Sequence, residues 1–270
     1  MTNLSVTQII NSYKIFSRNF WLSYKALEAV MQPEEFEKIK MTLMKSKWID
    51  PKILERIDKT EYELKRAEID LEWKRKSEEA RATGIAVHDK IHNLLCTDLS
   101  ECKRCFGIPT DKYNVEAIEK FLTGNGLFPE YRMEVPLDNE YQLVGIADLI
   151  IKDGNDIQII DYKTDDKIET SARFDVAKMK KKCLKYPLSK LEDCALVHYQ
   201  LQLSLYAWLV KQINPEFNIV NLEIFHIKDG KLKKNYPVEF LEKEVDQLIK
   251  WHLKTTKLKK ESDKCKEIKY

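Results

Sequence analysis

Apolar and polar positions change their rhythm twice along this chain. Over residues 1–82 the apolar positions recur at helical spacing, and 54–81 is packed with Glu, Lys, Arg, Ala and Leu without a Gly or Pro. Pro33 and Pro51 mark helix starts, because proline is tolerated in a first turn. Ile85, Val87, Ile91, Leu94 and Leu95 predict a further helix over 84–95, carrying His88 and His92 on adjacent turns, and a loop is expected over 97–110. Strands are then predicted over 131–137, 141–152 and 157–163, the first two separated by Asp138–Asn139 and the last two by Asp153–Gly154–Asn155. A strongly apolar helix over 198–213 follows, then a hairpin of 219–227 and 231–238 around Asp229–Gly230, and an amphipathic helix over 240–254. This order predicts an α/β protein: a mixed sheet flanked by helices over 83–270, behind a helical region at 1–82.

Composition narrows the classes. With 43% hydrophobic and 33% charged residues the chain can bury a core, which excludes disorder throughout. No run of about 18 apolar residues is present, so no membrane-spanning helix and no membrane partner is expected. The N-terminal stretch lacks a basic segment followed by an apolar one, which argues for a cytoplasmic protein with reduced thiols rather than three disulfides among its six cysteines. Cys102 and Cys105 form a lone CxxC near Cys96, a weak metal signature without a fourth ligand. Net charge is only +2, but six lysines and no acid lie between Lys178 and Lys190, and seven lysines face three acids from Trp251 to Tyr270. Local basic segments on a nearly neutral chain suit a polyanion held along one groove, although a solvated lysine-rich surface has the same look.

The informative stretch is VGIADLIIKDGNDIQIIDYKTD. Asp148 lies in an apolar strand, and Asp161 and Lys163 end the next one. Strand alternation puts Asp161 and Lys163 on one face with Tyr162 turned away, and a hairpin brings Asp148 within reach of Asp161. Buried charges cost several kcal/mol, roughly, unless paired or cation-bound. Two convergent carboxylates and a backbone carbonyl make hard oxygen ligands for Mg²⁺ or Mn²⁺, as phosphodiester hydrolysis requires. Taken alone, Asp161–x–Lys163 reads equally well as an ordinary buried ion pair.

The series does not stand alone. His88 on a helix in GxxxH, Glu134 on a strand, G-I-A-D ending at Asp148, D-Y-K at Asp161–Lys163 and QxxxY at Gln202–Tyr206 resembles the PD-(D/E)XK nucleases. The nearest branch is the RecB-like one, which includes Cas4-type and phage exonucleases. The resemblance covers residues 80–210 and implies a restriction-endonuclease-like core. It further implies metal ligands at His88, Asp148, Asp161 and the carbonyl of Tyr162, with Lys163 as the catalytic lysine and Glu134 as an acid near the metal. Gln202 and Tyr206 are implied as DNA contacts bordering the site, and Lys178, Lys180, Lys181 and Lys182 would line the route of a strand. The implied activity is a Mg²⁺- or Mn²⁺-dependent deoxyribonuclease, an exonuclease on DNA ends or single strands in recombination, repair or replication. It would act alone or with separate partner proteins, in a bacterial or phage-infected cytoplasm. Some relatives hold an iron–sulfur cluster through one cysteine before the histidine motif and three after QxxxY. Here no cysteine precedes His88 and only Cys265 follows Tyr206, so no cluster is expected. Three other readings stay open: a structure-specific endonuclease, a catalytically silent DNA-binding module on the same fold, and a zinc protein built on Cys96, Cys102 and Cys105.

Overall fold

The apolar runs in the middle of the chain become the strands of one mixed sheet. The computed structural model describes residues 1–14, 17–175 and 179–267, with side chains as far as 262. Its elements run β1 (Thr2–Ser5), α1 (Val6–Tyr13), α2 (Arg18–Val30), α3 (Pro33–Ser46), α4 (Pro51–Leu54), α5 (Lys59–Thr97) and α6 (Leu99–Phe106). There follow β2 (Gly126–Pro136), β3 (Tyr141–Asp153), β4 (Asp156–Lys163), β5 (Phe174–Asp175), β6 (Lys180–Lys181), α7 (Ala195–Ile213), β7 (Asn218–Lys228), β8 (Lys231–Val238) and α8 (Glu242–Glu267).

The chain divides into two compact units. One comprises residues 1–14, 84–173 and 183–270, and the other 15–83 and 174–182. In the first, β3 is the hub. It pairs antiparallel with β2 along one edge, and along the other with β1 (parallel) and then β4 (antiparallel). β4 continues in parallel to β7, which pairs antiparallel with β8. The parallel β4–β7 step demands a long crossover, and α7 supplies it. Leu201, Leu203, Leu205, Leu209 and Val210 of α7 are buried against Leu143, Ala147, Ile150, Ile157 and Ile159 on one face. The other face is covered by Ile91, Leu95, Cys102 and Phe106, which pack on Leu127, Leu149, Ile151, Ile160, Tyr162 and Phe225. Burial on both faces is why β3 and β4 read as almost unbroken apolar runs. The result is the expected α/β architecture, a central mixed sheet flanked by helices in the manner of restriction endonucleases. No helix among the described residues is long and apolar enough to cross a membrane.

The second unit has its own small core of Phe20, Tyr24, Leu27, Phe36, Leu43 and Tyr62. The Arg18 guanidinium pairs with Asp70 at 2.7 Å within it. The short β5–β6 ladder also belongs here.

Four local expectations are corrected. The first fourteen residues group with the sheet rather than with the helices after them, since β1 adds to β3 and α1 starts from a Ser5–Gln8 capping box. The helix over 84–95 is the last part of α5, because Gly84 does not interrupt it. The expected loop over 97–110 contains α6, whose start is capped by the Asp98 side chain and whose end is Gly107 in the left-handed region. β2 begins at Gly126 rather than at 131.

Candidate active site

Asp148 sits where three strands meet. The β3–β4 ladder closes at Leu149 opposite Ile160, and the next position sets Asp148 opposite Asp161. In place of a backbone rung there, the Tyr162 N–H donates to Asp148 Oδ2 at 2.6 Å. On the other edge, β2 and β3 pair at Pro129–Leu149 and Tyr131–Ala147 but skip the position between, where Glu130 faces Asp148. Glu130 has φ 49°, a left-handed conformation that a side chain with a Cβ adopts at a cost of about 1–3 kcal/mol. Both strands slip their alternation at this point: Phe128 and Ile150 face the α7 core, and so do Tyr131, Met133 and Ala147. The kink therefore lines up Glu130, Asp148 and Asp161 across the sheet.

Helix α5 adds an imidazole. His88 Nδ1 lies 3.5 Å from Glu130 Oε1, and His88 Nε2 lies 3.6 Å from Asp148 Oδ2. One ligand atom from each of His88, Glu130 and Asp148 lies within 4.8 Å of the other two. The His88 ring meets the edge of Tyr162 at 5.6 Å, which fixes its plane. Hydrogen bonding to Glu130 raises the His88 pKa against the opposing effect of burial, with Asp148 adding to the rise. Burial, then the charge of Asp161, pushes the Asp148 carboxyl up to about 7.

Asp161 is fully buried, and its Oδ1 accepts no hydrogen bond among the described residues. Its electrostatic partner is the Lys163 ammonium, 2.5 Å from Oδ2. Burial would lower the Lys163 pKa, but Asp161 and Asp148 more than reverse this, so the side chain stays an ammonium at neutral pH. Its Nζ also lies 4.8 Å from the centre of the Tyr199 ring. A buried carboxylate with one oxygen left without a donor, near a histidine and two further acids, fits a hard divalent cation: the donors are oxygens plus one imidazole, and the excess negative charge needs neutralising.

The motif glycine of G-I-A-D has a steric reason. A Cβ on Gly145 would stand 2.9 Å from both the Tyr206 ring and Leu209, so only glycine lets α7 pack this closely on β3. Gln202 Nε2 donates to Tyr206 Oη at 2.8 Å, and Tyr206 is only 4% exposed. Tyr206 therefore packs α7 onto β3 and orients Gln202. The expected DNA contacts at Gln202 and Tyr206 thus form one hydrogen-bonded pair, with Tyr206 buried.

Other expected residues fall elsewhere. Glu134 is exposed, pairs with Arg132 at 2.6 Å and accepts from Gln142 at 3.2 Å, opposite Val144. The acid beside Asp148 is Glu130, one helical-turn's count of residues earlier on the same strand. It was missed because the strand was expected to start at Tyr131, although Leu127 and Phe128 already continue the apolar pattern upstream. Lys180 and Lys181 form β6 and are exposed, Lys182 is half-buried, and all three belong to the second unit, whereas Lys178 lies outside the described residues. His92 is exposed. Cys102 and Cys105 are buried in the α6 core, where burial pushes the Cys102 thiol up to about 12 and Cys105 donates to Glu101 at 3.1 Å. Among the described residues, Cys96, Cys102 and Cys105 form no group that could hold a metal ion.

Comparison with known proteins agrees with this geometry. The family model described as "PD-(D/E)XK nuclease superfamily" matches residues 52–269. No curated protein matches the chain. Among solved structures, one titled "Crystal structure of SSO0001" aligns with 92% of this chain and 73% of its own at 13% identity, with a TM-score of 0.37. So loose a likeness adds nothing to the family match.

Proposed function

Because this chain belongs to the PD-(D/E)XK nuclease superfamily, whose members are metal-dependent nucleases, we propose that it hydrolyses DNA phosphodiester bonds as an exonuclease on ends or single strands. One observation carries the reading: His88, Glu130 and Asp148 each offer a ligand atom within 4.8 Å of the other two, in line across the sheet with the fully buried Asp161, which the Lys163 ammonium holds. His88, Glu130, Asp148, Asp161 and the carbonyl of Tyr162 are the residues that would hold Mg²⁺ or Mn²⁺. Such a cation supplies Lewis acidity and lowers the pKa of a bound water.

The chain's own groups do the rest. Lys163, held as an ammonium by Asp161, offers positive charge where negative charge grows on the phosphate. Its protonated state favours this role over that of a base. His88 must be neutral to ligate, so Glu130 and Asp148 would exchange their hold on its proton for a hold on the cation. Gln202, oriented by Tyr206, borders the site as a polar contact for the substrate, and Lys178–Lys182 would contact strand phosphates without reading sequence. The RecB-like motif order supports an exonuclease over a sequence-specific cutter, with a role in recombination, repair or replication.

End-labelled DNA with Mg²⁺ or Mn²⁺ tests the proposal. Wild type should release short products, and Lys163→Ala should be slower by at least about 10²-fold. No cleavage by wild type in either metal, with binding retained, would instead favour the silent module. Circular single-stranded DNA separates the two enzyme readings, since an exonuclease leaves it whole.

A further inference from the structure

Lys163 is held from two sides, by a carboxylate and by an aromatic face. It is the last residue of β4, and its ammonium pairs with Asp161 on the same face of the strand. From the other side comes Tyr199 of α7, half-buried, whose ring centre lies 4.8 Å from Lys163 Nζ. Tyr199, Gln202 and Tyr206 fall at i, i+3 and i+7, so one face of α7 carries all three. The Tyr199 ring is itself fixed at its far end. Its hydroxyl donates to Asp165 Oδ2 at 2.7 Å, and burial together with this bond keeps it protonated. Asp165 is anchored in turn through its backbone. Its carbonyl lies 2.6 Å from Nε2 of His226, which is buried and is the β7 partner of Lys163. A carbonyl can only accept, so Nε2 carries the proton.

The two holds answer differently to a cation. A divalent ion taken up by Asp161 draws on the same oxygens that hold the ammonium. An aromatic face is no ligand for a hard ion, and it keeps its attraction for Lys163. Lysine has a flexible four-carbon stem, and stabilising charge in a transition state needs the ammonium in one place beforehand. We propose that Tyr199 is a positioning residue: its ring, tied to Asp165, keeps the Lys163 ammonium in place for the transition state when Asp161 is shared with a cation. This rests on the nuclease reading above. The ring acts through Lys163, and the hydroxyl serves to fix the ring.

The test uses the full-length chain with Tyr199→Phe and Tyr199→Leu. It adds difluoro- and trifluorophenylalanine at position 199, which keep the shape of phenylalanine and drain charge from its face. Hydrolysis of end-labelled DNA in Mn²⁺ gives kcat and KM. In protein labelled with ¹³C-lysine, NMR reads the Lys163 Cε protons, identified by their loss in Lys163→Arg. In wild type the ring should shift these protons upfield of the other lysines, both in EDTA and in Mg²⁺. Tyr199→Phe should keep the shift and Tyr199→Leu lose it. The kcat should fall about 30-fold in Tyr199→Leu with KM within about twofold, stay within about threefold in Tyr199→Phe, and decline stepwise as fluorines are added. A merely structural ring would leave the kcat of the folded protein indifferent to fluorination, and that result overturns the inference. So does a raised KM at unchanged kcat, which makes Tyr199 a substrate contact, or a Lys163 signal with no upfield shift in wild type with Mg²⁺. If wild type cleaves no DNA in any divalent metal while the shift is intact, it is the nuclease reading that fails, and the positioning role falls with it.

Discussion

The two ends of the β3–β4 hairpin are built from the same strands and treat buried charge in opposite ways. At the turn end, Lys152 is 3% exposed, yet its Nζ donates to the Gly124 carbonyl at 2.6 Å and lies over the Phe217 ring at 5.5 Å. Around it Tyr113 donates to Asp153 at 2.9 Å, the Gly154 N–H to Asn125 at 2.8 Å and Asn218 to Asp156 at 3.0 Å. At the open end, Asp161 is more deeply buried, with Lys163 at its Oδ2 but no donor at Oδ1, and the Tyr162 hydroxyl is also unpartnered among the described residues. One sequence thus gives a buried lysine a carbonyl acceptor and leaves one oxygen of a buried aspartate without a donor nine residues further along the chain. The difference teaches that the unmatched oxygen at the open end is not poor folding. The fold can satisfy such groups, and where it does not, a ligand is expected to.

The sharpest way to break this contrast is Asp161→Asn. It should lower cleavage by about 10³-fold or more, and should remove most of the rise in Tm that Mn²⁺ gives the wild type. A metal-induced shift that survives the substitution intact would show that the Asp161 carboxylate is not a ligand.

The pH dependence of the metal-free protein should be the next largest effect. The folded Asp148 carboxyl titrates at about 7, above its unfolded value, so the folded state holds this proton more tightly. Its share of stability is therefore greatest below about pH 4 and is lost as pH rises towards 7, by an amount on the order of a few kcal/mol. The raised pKa of His88 acts in the same direction. Denaturant melts in EDTA from pH 4 to 8 should show wild type losing stability relative to Asp148→Asn across that window, and a difference that grows in the other direction contradicts the assignment.

At the satisfied end, Lys152→Met strips the Gly124 carbonyl of its donor. It should cost about 1–3 kcal/mol in urea melts and leave the rate of cleavage by the folded fraction unaltered. A fall in that rate would mean the two ends are not independent.

How far the sequence led follows the same physics. β3, β4 and α7 were legible because apolar periodicity and turn residues act locally, and the acids within G-I-A-D and D-Y-K stand out against apolar neighbours. Glu130 was not legible, since its place depends on a left-handed residue in mid-strand that no local propensity favours and only its cross-strand partners impose. β1 was hidden because four residues carry no periodicity, and their partner strand lies more than a hundred residues away. α6 was readable in principle from Asp98 and Gly107, a cap at each end of a stretch whose two cysteines drew notice for another chemistry. Gly84 shows the limit of motif reading, since a Cβ there would make only ordinary contact with Thr164 at 3.7 Å.

The short parallel pairing of Thr2–Ser5 with Tyr141–Val144 has a consequence for handling the protein. Those four residues cover the first four positions of one margin of the hub strand, next to an apolar core. Trimmed of them, the molecule would present free N–H and C=O groups of Tyr141–Val144 to its neighbours, a template on which other chains can add strands. Loss of solubility at high concentration, rather than loss of fold, is the first symptom such a shortened chain should show.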